Sequence, residues 1–76
     1  MSKKMKYIIT KTGCPILFGQ AQQHSEFKHF NPTSAGFCNI SFDDHYKVQC
    51  YGESTSLNLA SSQNDSIKIE VMLNEY

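Results

Sequence analysis

Two short runs rich in aromatic and β-branched residues, Phe37–Phe42 and Tyr46–Tyr51, are separated only by Asp43, Asp44 and His45. That pattern commits the middle of the chain to a local reversal, because two extended segments joined by a few polar residues read as an antiparallel hairpin. Side chains alternate across a strand, so Cys38, Ile40 and Phe42 share one face with Tyr46, Val48 and Cys50, an apolar inner surface. Asn39, Ser41, Lys47 and Gln49 then face water. Phe37 and Tyr51 stand on the same nominally exposed face, near the open end of the hairpin.

A second hairpin is expected upstream. Met5–Thr10 reads as a strand with Tyr7 and Ile9 on one face and Ile8 on the other, Lys11-Thr12-Gly13 as a turn, and Pro15–Gly19 as the returning strand. Pro15 suits the start of a strand or a sheet edge, where no ladder donor is needed. Apolar residues on both faces of this pair imply a cover on both sides, from the rest of the chain or from another subunit. In Gln20–Phe30 a polar run leads to a short helical turn over Glu26–His29, capped by Ser25, with Phe27 and Phe30 on one side closing over the sheet. Asn31-Pro32-Thr33-Ser34 ends it, Gly52 marks a bend, Leu57 and Leu59 suit a short strand, and Ser61–Asp65 is a loop.

The final segment poses the main choice. Ile67, Ile69, Val71 and Leu73 alternate with Lys68, Glu70, Met72 and Asn74, a period of two that favours a strand, and on a helix they would spread widely around the axis. The competing signal is Ser62–Asp65, which can cap a helix running from Asp65 to Tyr76 through the helix formers Lys68, Glu70, Met72, Leu73 and Glu75. The expected fold is therefore mainly β: one domain over residues 1–76, a small antiparallel sheet of four to six strands with a short helical turn. The alternative is α+β, with the C-terminal segment as a helix on the sheet.

Charge narrows the function. Seven basic residues, all lysine, balance seven acidic ones, and the absence of arginine weighs against nucleic acid as the main partner, since arginine makes the bidentate phosphate and guanine contacts. Lys3, Lys4 and Lys6 form a cluster that reads as a frayed, solvated terminus or a weak contact with an anionic surface. No apolar run reaches the roughly 20 residues of a membrane span. Lys11 and Gly13 interrupt the only candidate for a secretion-signal core, so a cytoplasmic chain is expected. Three cysteines without a Cys-x-x-Cys spacing agree with a reducing compartment. These features are compatible with a small accessory protein of a bacterium or its mobile elements.

Five groups of residues invite a chemical reading. Cys38 and Cys50 with His24, His29 or His45 have the donor types that zinc prefers, and a structural ion would help so small a domain. Their spacing lacks the close pair of a zinc knuckle, which favours two core cysteines and solvent-facing imidazoles. Cys14 is the expected exposed thiol, and a histidine oriented by Asn31, Asn39 or Asp44 could in principle activate it, although no local motif surrounds it. Asp43-Asp44 with Glu53 suits turn geometry better than a cation site, and Gly52–Ser56 lacks the glycines and lysine of a phosphate loop. Phe37, Tyr46 and Tyr51 are the residue types of a base-stacking platform, but that requires a surrounding positive groove, which Lys47 alone does not supply.

No cofactor or catalytic function emerges, and the remaining feature is apolar strand surface. A chain of this size buries only about three fifths of its extended surface, roughly 4,700 Å² remaining exposed of roughly 12,500 Å². A C-terminal strand carrying Ile67, Ile69, Val71 and Leu73 would be an open edge unless paired with another chain. The expectation is a noncatalytic interaction module, a homodimer or the binder of a protein partner, with Ile67, Ile69, Val71, Leu73, Phe37 and Tyr51 at its interface. The alternative is a small metal-binding or thiol-dependent module using Cys38, Cys50 and a histidine.

Overall fold

A computed structural model describes residues 2–75 of the chain. The central sheet has four antiparallel strands in the order β2-β1-β3-β4: β1 (Ser2–Ile9), β2 (Pro15–Phe18), β3 (Ser34–Phe42) and β4 (Tyr46–Tyr51). A 3₁₀ helix (His24–Phe30) links β2 to β3. After β4 come a two-residue pair, β5 (Glu53–Ser54) with β6 (Leu59–Ala60), and a helix α1 (Asp65–Asn74). The arrangement is α+β. No helix among the described residues is long and apolar enough to cross a membrane.

Both hairpins form with the faces that alternation dictates. In the central one Cys38 pairs with Cys50, Ile40 with Val48 and Phe42 with Tyr46, and in the first Tyr7 pairs with Leu17 and Ile9 with Pro15 at the start of the edge strand. The lysine cluster is not frayed. Ser2–Ile9 pairs with β3 along its whole length, Met5 opposite Cys38 and Lys4 opposite Asn39, because Met5, Tyr7 and Ile9 need burial and carry the intervening lysines into the sheet with them.

Each face has its own cover. On one, Tyr7, Ile9, Cys38 and Val48 pack against Ile69 of α1, with Met5, Leu17, Ile40, Cys50, Met72 and Leu73 around them. On the other, Ile8, Phe18 and Ala35 lie beneath Phe27 of the 3₁₀ helix and Leu57 and Leu59 of the small β5–β6 pair. Phe27 stacks on Phe18 at 4.1 Å, while Phe30 is left 40% exposed. Gln23, not Ser25, is the N-cap of the 3₁₀ helix, its backbone N–H donating to the Glu26 carboxylate at 2.6 Å, and Asn31 ends it in the left-handed region before Pro32. Gly52 makes the bend out of β4 with φ 78°, where a Cβ would come within 3.0 Å of the Phe37 ring.

The C-terminal strand is the principal correction. Residues 65–74 are helical because burial follows a helical spacing, with Asp65, Ile69, Met72 and Leu73 turned toward the sheet. The four alternating aliphatics divide in pairs: Ile69 is fully buried and Leu73 half-buried, whereas Ile67 and Val71, four apart, are exposed on the outer side. Asp65 supplies the start signal, its carboxylate accepting from the Ser62 backbone N–H at 2.9 Å while its own N–H donates to the Ser62 carbonyl. At the other end the Asn74 side-chain amide bonds both the N–H and the C=O of Tyr46, occupying one position of the β4 edge. Tyr76, the expected end of the alternative helix, lies outside the described residues. The accessible surface, 4995 Å², is close to the roughly 4,700 Å² expected of a monomer this size.

Candidate functional site

Under α1 a polar cluster sits in an otherwise apolar layer. The Tyr7 hydroxyl donates to one oxygen of Asp65 at 2.5 Å and the Ser34 hydroxyl donates to the other at 3.0 Å, with Asp65 fully buried. Three donors, counting Ser62 N–H, thus satisfy one carboxylate, and no buried side-chain nitrogen or oxygen among the described residues lacks a partner. This cluster joins β1, β3 and the start of α1, and its role is to hold the helix in register on the sheet.

The two inner cysteines lie beside it. Burial, reinforced by Cys50, pushes the Cys38 thiol up to about 12. Cys50 rises to about 11, again chiefly through burial, with the Tyr7 hydroxyl pulling it down and Asp65 and Glu70 adding to the rise. The Tyr7 phenol moves upward as well, through burial first and then its bond to Asp65. A thiol held neutral is a poor nucleophile.

The five metal-ligand candidates are not brought together. Cys38 and Cys50 are cross-strand neighbours on the helix side. His24 is buried on the opposite side, its Nε2 2.9 Å from the Gly36 carbonyl, so the expectation of solvent-facing imidazoles fails there. It packs edge-on between Phe18 and Phe37. His29 lies against Phe30 on the 3₁₀ helix, and His45 is in the exposed hairpin turn. Among the described residues no three His, Cys, Asp or Glu side chains form a metal-holding group. Cys14 is exposed and shares an open depression with His29 and Asn31, but no hydrogen bond among the described residues joins the three.

Two surfaces remain open. On the helix side, an apolar groove of about 360 Å³ lies beyond the C-terminal end of α1, lined by Lys3, Met5, Leu17, Ile40, Phe42, Tyr46 and Leu73. Phe42 is 58% exposed at its rim, and Asp43 and Asp44 follow it in the turn. Of the expected interface residues only Leu73 lines this groove, while Ile69 is consumed by the core.

The second surface is the uncovered half of the opposite face. Lys6, Phe37 and Tyr51 form one row across β1, β3 and β4, and Lys4, Asn39 and Gln49 the next. Phe37 and Tyr51 stack at 5.9 Å between centroids, and the Lys4 ammonium stands 5.7 Å from the first ring centroid and 5.8 Å from the second. Ser41 and Lys47 extend the face, where Asn39, Ser41, Lys47, Val48 and Gln49 line a polar depression of about 390 Å³. Sequence reasoning missed Lys4 and Lys6 here; their alternation with Met5, Tyr7 and Ile9 was the available signal.

No family model matches this chain, and the curated proteins and solved structures likewise contain no significant match.

Proposed function

We propose that the protein is a noncatalytic self-associating module whose groove at the end of α1 receives the hairpin tip of a second copy. The observation that carries this reading is an apolar groove flanked by the exposed Phe42 of the same chain. A two-fold axis makes such an arrangement reciprocal, each Phe42 covering the other copy's Met5, Ile40 and Leu73. Charge fits the exchange. Asp43 and Asp44 follow Phe42 and Lys3 lines the groove, so each tip brings carboxylates toward the partner's lysine. The chain has formal net charge zero, which removes long-range repulsion between copies. A standard interface of about 800 Å² per copy would cover roughly a sixth of the 4995 Å² surface.

Sedimentation equilibrium tests this directly. The wild-type chain should dimerise in the micromolar range, Phe42→Ser should be monomeric at the same concentrations, and Lys3→Glu should weaken the dimer. Adding Asp43→Lys and Asp44→Lys to Lys3→Glu should restore it. A wild-type chain that stays monomeric, or a dimer indifferent to Phe42→Ser, overturns the reading.

A further inference from the structure

We propose that the uncovered half of the sheet, on the side away from α1, binds single-stranded RNA through Phe37, Tyr51, Lys4, Lys6 and Lys47. The objection raised by the sequence is that Lys47 has no basic surroundings. Strand order removes it. β1 lies beside β3, so Lys4 and Lys6 enter the same face as Phe37 and Tyr51, although more than thirty residues separate them along the chain. None of the seven acidic residues holds a position on this face of the four strands: Asp43 and Asp44 are in the turn, Glu53 lies beyond the Gly52 bend, Glu26 is on the 3₁₀ helix, and Asp65, Glu70 and Glu75 belong to the C-terminal segment. A face with three ammonium groups and no carboxylate is complementary to a phosphodiester chain.

The aromatics supply the second half of the recognition. Phe37 and Tyr51 are half-buried and stacked on one another with Lys4 over both rings, and His24 packs edge-on to Phe37. The position that Lys4 takes over the rings is the one a base would take. An incoming nucleotide displaces the ammonium from the rings and meets it at the adjoining phosphate, exchanging a cation–π contact for base stacking plus a charge pair. Successive rows on one face of a strand are about 6.7 Å apart, which allows one nucleotide per row in an extended strand. Asn39, Ser41 and Gln49 fill the second and third rows with groups that both donate and accept, the chemistry that a ribose 2′-hydroxyl requires. A duplex lacks the exposed base faces and is excluded.

Fluorescence anisotropy of labelled octamers of U and of dT against the full chain at low salt provides the test. The expected result is saturable binding of the U octamer, weaker binding of dT, and a log–log salt slope near −2, about 0.7 per neutralised phosphate for three lysines. Tyr51→Ala should weaken binding about fivefold or more. Lys4→Gln with Lys47→Gln, both exposed in the folded chain, should weaken it and flatten the slope. Val71→Ser, on the outer side of α1, should bind as wild type. No binding by the wild-type chain, indifference to Tyr51→Ala, or equal competition by base-free polyphosphate overturns the proposal, and dT binding as tight as U overturns the assignment to RNA.

Discussion

The two faces of the central sheet are built from the same four strands yet are finished differently. The helix side is closed by one long element anchored at both ends, by Asp65 on Tyr7 and Ser34 and by Asn74 on Tyr46. The other side is closed by short pieces, a 3₁₀ helix and two two-residue strands, and only over the half that contains Ile8, Phe18 and Ala35. The difference follows from what each face must hide. Tyr7, Ile9, Cys38 and Val48 form a continuous apolar stripe that needs a helix, whereas Lys4, Asn39, Ser41 and Lys47 keep half of the opposite face hydrated without cost.

The comparison is broken most strongly at Asp65. Asp65→Ala leaves the Tyr7 and Ser34 hydroxyls unpaired in the core and removes the start signal of α1, and it should cost about 3 kcal/mol or more, measured by urea unfolding. The matching change on the other side, His24→Ala, removes one hydrogen bond to the Gly36 carbonyl and one packed ring, for about 2 kcal/mol. If His24→Ala proved the more damaging, the anchored helix would not be the dominant cover.

Alkaline pH sharpens the same contrast, because the three groups with raised values all lie under α1. Cys38 and Cys50 stay protonated in the folded chain up to about 12 and about 11, against 9.0 for the free thiol, and the Tyr7 phenol moves in the same direction. The folded state therefore holds protons that the unfolded state has released. The contribution of these three groups should be constant below about pH 9 and fall as pH rises toward 11, by at most about 1.4 kcal/mol per pH unit for each group. Melting temperatures at intervals from pH 8 to 11 check this, and Cys38→Ala should reduce the slope. The smallest effect belongs to the outer side of α1. Ile67→Ser and Val71→Ser should each change stability by less than about 0.5 kcal/mol, because both side chains point away from the sheet.

Much of this architecture is legible in the amino-acid order. Both hairpins, the face assignment of every strand residue from Phe37 to Tyr51, the break at Asn31-Pro32 and the bend at Gly52 all follow from alternation and turn chemistry, which act over a few residues. The last segment misleads for a specific reason. Ile67, Ile69, Val71 and Leu73 satisfy a strand period, and the inward positions of the actual helix begin with a carboxylate, which no hydrophobic pattern counts. The candidate surfaces were partly visible, Phe37 and Tyr51 as exposed aromatics, but not the lysines beside them or the groove beyond Leu73.

The sequence by itself determined which residues share a face within each strand, since that depends only on the two-residue pleat. Tertiary structure alone decided which face the helix would cover, which lysines would join Phe37 and Tyr51, and where the apolar groove would open. The physical reason is that these outcomes rest on pairings between distant residues, such as Tyr7 with Asp65, 58 positions apart, whose free energy arises only once both are removed from water together.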